Sequence, residues 1–159
     1  MKINDIVTSI EISNQLRIAG YVKSAIFSYF KDKYGEIYVA ETDFAKDELI
    51  AFAYTSSELI ESLPFSLSIS TETFVVNSKT YTNITKEEIE KYHWADLEMM
   101  KFTHDDESSD YITKYSIGGR MIAFSRSLKG EYNNLIRFGK NEAESRAKMI
   151  LALIEDDKL

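Results

Sequence analysis

The spacing of apolar residues changes twice along this chain, and that change restricts it to a mixed fold. From Leu16 through Ala19, Val22, Ile26 and Phe30 to Tyr34, apolar residues recur every three or four positions, the period of one helix face. The spacing predicts a helix from Ser13 to Tyr34, with Ser13 as N-cap and Gly35 as the left-handed stop. Gly20 lies inside the run and lowers its propensity. After Gly35 the period shortens to that of strands. Residues 36–41 and 49–54 read as two of them, and 67–70, 73–76 and 80–82 as three shorter ones. A short helix is expected from Ser56 to Leu63, where Pro64 stops it.

The helical period returns twice more. Thr85 and Glu88 form a capping box, Thr-x-x-Glu, which predicts a helix from about Lys86 to Phe102. Asn141 with Glu144 opens the last helix, whose apolar face is Ala143, Ala147, Ile150, Leu151 and Ile154. Between them, Tyr111 to Ile117, Gly118-Gly119 and Arg120 to Ser127 read as a hairpin with a two-residue turn. Leu135 to Phe138 adds a third strand. The expected fold class is therefore α+β, with antiparallel sheets flanked by helices and a C-terminal half of helix, three strands and helix. The connecting residues 77–85 divide an N-terminal unit, 1–84, from a C-terminal unit, 85–159, unless the sheets merge into one domain.

Composition narrows the chemistry. The 159 residues contain no cysteine, which excludes disulfides, thiolate metal sites and thiol nucleophiles. With no apolar run near the roughly 20 residues that span a bilayer, and no apolar leader after Met1, the expected location is the cytoplasm without membrane contact. The charge of −7 is unevenly placed. Residues 1–110 hold 10 Lys/Arg against 20 Asp/Glu, whereas residues 111–150 hold 8 against 3. An acidic first half suits a basic protein target.

The basic stretch carries the alternative. Arg120, Arg126, Arg137 and Lys140, interleaved with Tyr115, Phe124, Tyr132 and Phe138, are the candidate residues for binding an anion or nucleic acid. Cations hold phosphates and aromatic rings stack bases. Tyr21, Tyr29 and Tyr34 are candidates for a contact surface.

Motifs for catalysis and metals fall short. Gly139-Lys140 would need glycine at 134 and Ser or Thr at 141 for a phosphate loop, but both positions are Asn. His93 with Asp96, and His104 with Asp105, supply half a metal site each, and zinc takes three or four ligands. Counted from Asp105, a calcium loop would need glycine at 110 and glutamate at 116; the chain has Asp110 and Ser116. No serine stands in Gly-x-Ser-x-Gly. The expectation is a non-enzymatic protein without metal or cofactor.

Tyr92-His93-Trp94 followed by Leu97, Met99 and Met100 is similar to a Trp-x-x-Leu-Met helix in small bacteriophage proteins of the helix–sheet–helix type, the phage ABA sandwich. The closing segment from Asn141 to Glu155 resembles their C-terminal helix. The resemblance spans residues 85–157 and implies a phage or prophage origin, with no catalytic residues to carry over. A host protein, such as a component of a defence system, is the partner it suggests. Phe138-Gly139-Lys140-Asn141 is also similar to the end of a double-stranded-RNA-binding domain. In that family lysines at the helix start meet phosphate; here Glu142 and Glu144 follow and would repel it.

Overall fold

The computed structural model describes residues 2–43, 45–68, 74–75, 94–104, 109–117, 120–121, 123–126, 131–157 and 159. The fold is α+β with antiparallel sheets, and its C-terminal helix follows the strands. A 3-10 turn, Ile3–Asp5, leads into α1, Ile10–Ile18. Strands β1 (Phe27–Lys31), β2 (Ile37–Glu41) and β3 (Glu48–Ala53) form a sheet in the order β2-β1-β3. Helix α2, Ser56–Ile60, and β4, Ser66–Ser68, follow.

The second sheet has the order β11-β7-β6-β4. It uses β6 (Trp94–Thr103), β7 (Ser109–Ile117) and β11 (Ile136–Gly139), with β8 (Arg120–Met121) on the same margin of β7 as β11. The third sheet joins β5 (Phe74–Val75), β9 (Ala123–Arg126) and β10 (Glu131–Asn134). Helix α3, Glu142–Glu155, ends the chain's regular structure.

The first long helix is shorter than its periodicity suggests. Gly20 takes φ +85°. The Tyr21 N–H then bonds the Leu16 carbonyl at 2.9 Å, and the Gly20 N–H bonds the Arg17 carbonyl at 3.1 Å. That pair is a Schellman stop, so Gly20 ends α1 and does not merely weaken it. Phe30, counted on the helix face, lies in β1. Tyr29 and Phe30 are both buried there, on opposite faces. A strand covered on both sides loses the alternation that marks strands.

A second correction concerns the helix expected from Lys86 to Phe102. Its first eight residues, 86–93, lie outside the described residues. From Trp94 onward the chain is strand β6, paired with β7 from Asp96↔Ser116 to Thr103↔Ser109 and with β4 from Ser66↔Asp96 to Ser68↔Trp94. Ala95 and Leu97 point to the core while Asp96 and Glu98 point away. This alternation was present beneath the helical spacing of Leu97 and Met100. Ladder hydrogen bonds on both sides decide for the strand. Trp94, Leu97, Met99 and Met100, which carry the first part of the phage resemblance, are thus strand residues.

Other expectations hold closely. The strands at 36–41 and 49–54 are β2 and β3. The hairpin after Tyr111 has its base at Ile117↔Arg120, although Gly118 and Gly119 lie outside the described residues, as does the strand expected at 80–82. The α3 cap is as read: the Asn141 side-chain oxygen accepts the Glu144 N–H at 2.8 Å. The Glu144 carboxylate reaches back one residue further, accepting the Lys140 N–H at 3.2 Å.

One apolar cluster sits where α1, α2 and α3 meet the inner face of the second sheet. Leu16, Tyr54, Leu59, Ala95, Tyr115, Leu135, Met149, Ile150 and Leu153 are all at most 2% exposed within it. It draws on both sides of the 1–84/85–159 division. Each such leucine or isoleucine contributes about 1.5–3 kcal/mol through burial. Buried hydroxyls are paired: Thr8 with Ser13 at 2.7 Å, and Thr113 with Ser145 at 3.0 Å across the sheet–helix interface. No buried side-chain polar atom lacks a partner among the described residues.

Candidate functional site

The four candidate cations are distributed over three strands and a turn. Arg120 stands in β8 opposite Ile117, and Arg126 in β9 opposite Glu131. Arg137 stands in β11 opposite the buried Thr113; it is half-buried and donates to the Ile136 carbonyl at 2.8 Å. Lys140 is exposed at the turn from β11 into α3. Arg137 and Lys140 therefore lie three residues apart at one sheet margin, while Arg126 belongs to a different sheet.

Several neighbouring cations are committed to internal contacts. Lys114 Nζ lies 2.8 Å from Glu98. Arg146 donates to the Ser56 carbonyl at 2.6 Å and pairs with Glu142 at 3.2 Å. Lys148 Nζ donates to the Phe138 carbonyl at 2.9 Å. Much of the positive charge of residues 111–150 thus tacks α3 and β6 onto the rest of the molecule, because a cation in a half-buried place must find an acceptor.

The metal candidates separate. His93 and Asp105 lie outside the described residues. Asp96 is exposed on β6, and His104 Nε2 faces Asp110 at 2.9 Å. Among the described residues no three His, Asp or Glu side chains converge. The perturbed acidities have structural causes. Burial raises Tyr115, and it raises Tyr54 to about 12. The hydrogen bond from Lys114, then that from Ser116, holds Glu98 below the usual carboxylate range. Each shift favours the form already present at neutral pH.

The first sheet presents the other candidate surface. Asp32 and Gly35 build its hairpin tip. The Asp32 Oδ1 accepts the N–H groups of Tyr34 at 2.8 Å and Glu36 at 2.9 Å, and Gly35 takes φ +87°. This fixes the backbone under Tyr34, which is 79% exposed with Lys33 Nζ 4.9 Å from its ring centre. Behind the tip, Tyr38, Phe30 and Leu49 stand in register across β2, β1 and β3. Phe30 is buried, while Tyr38 and Leu49 are exposed.

Carboxylates surround this row. The Tyr38 hydroxyl donates to Asp47 at 2.6 Å, which raises its pKa. Asp32, in the same hairpin, adds to the negative charge that acts on Tyr38, and Glu36 shares the face of Tyr38 by the alternation of β2. Leu49 also borders a cleft of about 200 Å³ between α1 and β3, lined by Val22, Phe52, Tyr54 and Arg17.

Of the three tyrosines singled out from sequence, only Tyr34 is on the surface. Tyr21 and Tyr29 are core residues that donate or share hydrogen bonds with Ser62 and the Thr8 carbonyl. Tyr38 and Leu49 were missed. Their signal was the alternation of β2 and β3, which assigns faces but does not say which face stays open. No family model, curated protein or solved structure matches the chain.

Proposed function

We propose that the chain is a non-enzymatic binding protein that occupies the surface of a partner protein. The observation that carries this reading is the first sheet: exposed Tyr34, Tyr38 and Leu49 stand with Asp32, Glu36 and Asp47 about a hairpin whose tip is fixed by Asp32. Aromatic anchors in a charged frame suit a partner with apolar pockets amid Lys and Arg. A pre-set hairpin tip also loses little freedom on binding. The partner we propose is a host protein, with inhibition of a defence component as one form; of the likeness to small phage proteins, the closing helix from Asn141 is the part that supports it.

The test is capture from host lysate by the tagged chain, with and without nuclease, read by mass spectrometry. The expected result is one stoichiometric protein that survives nuclease and is lost with Tyr34→Ala plus Leu49→Asp, while the melting temperature is unchanged. Recovery of nucleic acid, with proteins lost after nuclease and affinity falling steeply with salt, would replace this reading with anion binding at Arg120, Arg126, Arg137 and Lys140.

A further inference from the structure

Strand β2 forms one margin of the first sheet, and its outer side is open. It pairs with β1 alone, and among the described residues no backbone hydrogen bond reaches it from any other element. The 3-10 turn Ile3–Asp5 comes close to β2 but makes only local backbone bonds.

The pairing with β1 fixes which groups are free. The Thr42 N–H bonds the Ile26 carbonyl at 2.8 Å, and the Asp32 N–H bonds the Glu36 carbonyl at 3.0 Å. These two bonds bracket β2, and the register between them runs without a shift. In an antiparallel ladder, hydrogen-bonded pairs alternate with pairs whose backbone groups face away. Tyr38 and Ala40 therefore bond to β1, while Ile37, Val39 and Glu41 turn their N–H and C=O groups outward. Open margins of this kind are normally blunted by proline, lysine or a bulge. The strand Ile-Tyr-Val-Ala-Glu contains none of these. Its largest side chain, Tyr38, leans back over the Phe30 ring at 5.9 Å to reach Asp47, and so turns from the margin.

We infer that an extended, basic segment of the partner protein adds to β2 as a further strand. This rests on the function proposed above and names how the first sheet holds its partner. Main-chain hydrogen bonds supply the contact, and charge selects the occupant. Residues 32–48 hold six Asp/Glu against two Lys. Glu36 and Glu41 flank the middle of the strand on opposite faces. The added strand therefore carries Lys or Arg near both glutamates, with small apolar residues beside Val39 and Ala40. A second copy of this chain would set two acidic margins against each other, and like charges across a strand pair destabilise it.

Amide hydrogen exchange read by NMR tests the inference, with two defined peptides as probes: one repeats Lys-Val four times, the other Glu-Val four times. In the free chain, the Ile37, Val39 and Glu41 amides should exchange about ten-fold faster than those of Tyr38 and Ala40. The Lys-Val peptide should slow the outward amides to the rate of their neighbours, and the Glu-Val peptide should leave them fast. Ile37→Pro, at an exposed position, removes an outward donor and no bond to β1, so it should weaken the Lys-Val peptide about five-fold. Glu36→Lys plus Glu41→Lys should reverse the preference toward the Glu-Val peptide, which an unfolded variant would not do. Unchanged exchange at Ile37, Val39 and Glu41 with the Lys-Val peptide in excess overturns the inference, as does equal binding of the acidic peptide. Protection that rises with the chain's own concentration, without peptide, would assign the margin to a second copy and also overturn it. In host lysate, a partner lost with Tyr34→Ala plus Leu49→Asp but held by Ile37→Pro would overturn the strand pairing and leave the proposed function standing. Capture of no partner would remove both.

Discussion

At the residue scale, the most informative side chains are tyrosines that were ambiguous in the sequence. Tyr115 is fully buried, and its hydroxyl donates to the Pro64 carbonyl at 2.6 Å. That bond ties β7 to the turn after α2. Tyr115→Phe keeps the ring and removes the donor, so a destabilisation of about 1–2 kcal/mol is expected in urea unfolding. A change within error would mean that water replaces the phenol. Tyr54 titrates near 12 in the fold because burial disfavours the phenolate, against an ordinary 10.0. The unfolded chain therefore loses its proton first. This stabilisation is complete below pH 10 and is lost as pH rises toward 12. Stability should fall across that window, and Tyr54→Phe should flatten the fall. Glu98 runs the other way. Lys114 and Ser116 depress its pKa, so its contribution is present above the ordinary carboxylate pKa and disappears as pH drops below it. Glu98→Gln should reduce the acid sensitivity of the urea midpoint.

At the element scale, the ends of α3 and β11 show how local signals and tertiary fit combine. The Asn141 cap was legible because an Asn followed three residues later by Glu satisfies the free N–H groups of a helix start. Its second role was not legible: Asn141 Nδ2 also donates to the Val7 carbonyl at 3.0 Å. Asn141→Ala should cost about 1–2 kcal/mol, and Asn141→Asp should recover the cap while losing the link to Val7. Thermal melts of the two variants separate these parts. Gly139 is more demanding. A Cβ there would stand 2.4 Å from the Ser145 nitrogen and 2.8 Å from the Asn141 carbonyl oxygen. Two of the obstructing atoms are backbone and the third is the Glu144 Cβ, so Gly139→Ala must push β11 away from α3. The expected cost is near the top of the overpacking range, about 3 kcal/mol. A variant with normal stability would mean that the strand–helix junction is loose.

At the scale of the whole molecule, the charge asymmetry takes two forms. In the first sheet the carboxylates frame exposed aromatics and remain available to a partner. In residues 111–150, Lys114, Arg146 and Lys148 are spent on contacts inside the fold. Partner capture by the first sheet should accordingly weaken as salt rises from about 0.1 M toward 1 M, where the screening length shrinks from about 10 Å to 3 Å. Capture indifferent to salt would place the affinity in the apolar row alone.

The sequence by itself determined the α+β class, the strands β2 and β3, the base of the glycine hairpin and both the start and the length of α3. Those features rest on local causes: caps, turn residues and a period that one exposed face makes visible. The Gly20 stop of α1 is local too, a Schellman pair with Leu16 and Arg17 that the apolar run past it concealed; only the tertiary structure decided that Phe30 belongs to a strand and that Trp94 opens β6. In each of these, short apolar runs satisfy two periods at once, and the ladder bonds and buried neighbours that choose between them come from residues distant in the chain. The same reason separates Tyr34 from Tyr21 and Tyr29: all three have the same chemistry, and only packing determines which ring is left in water.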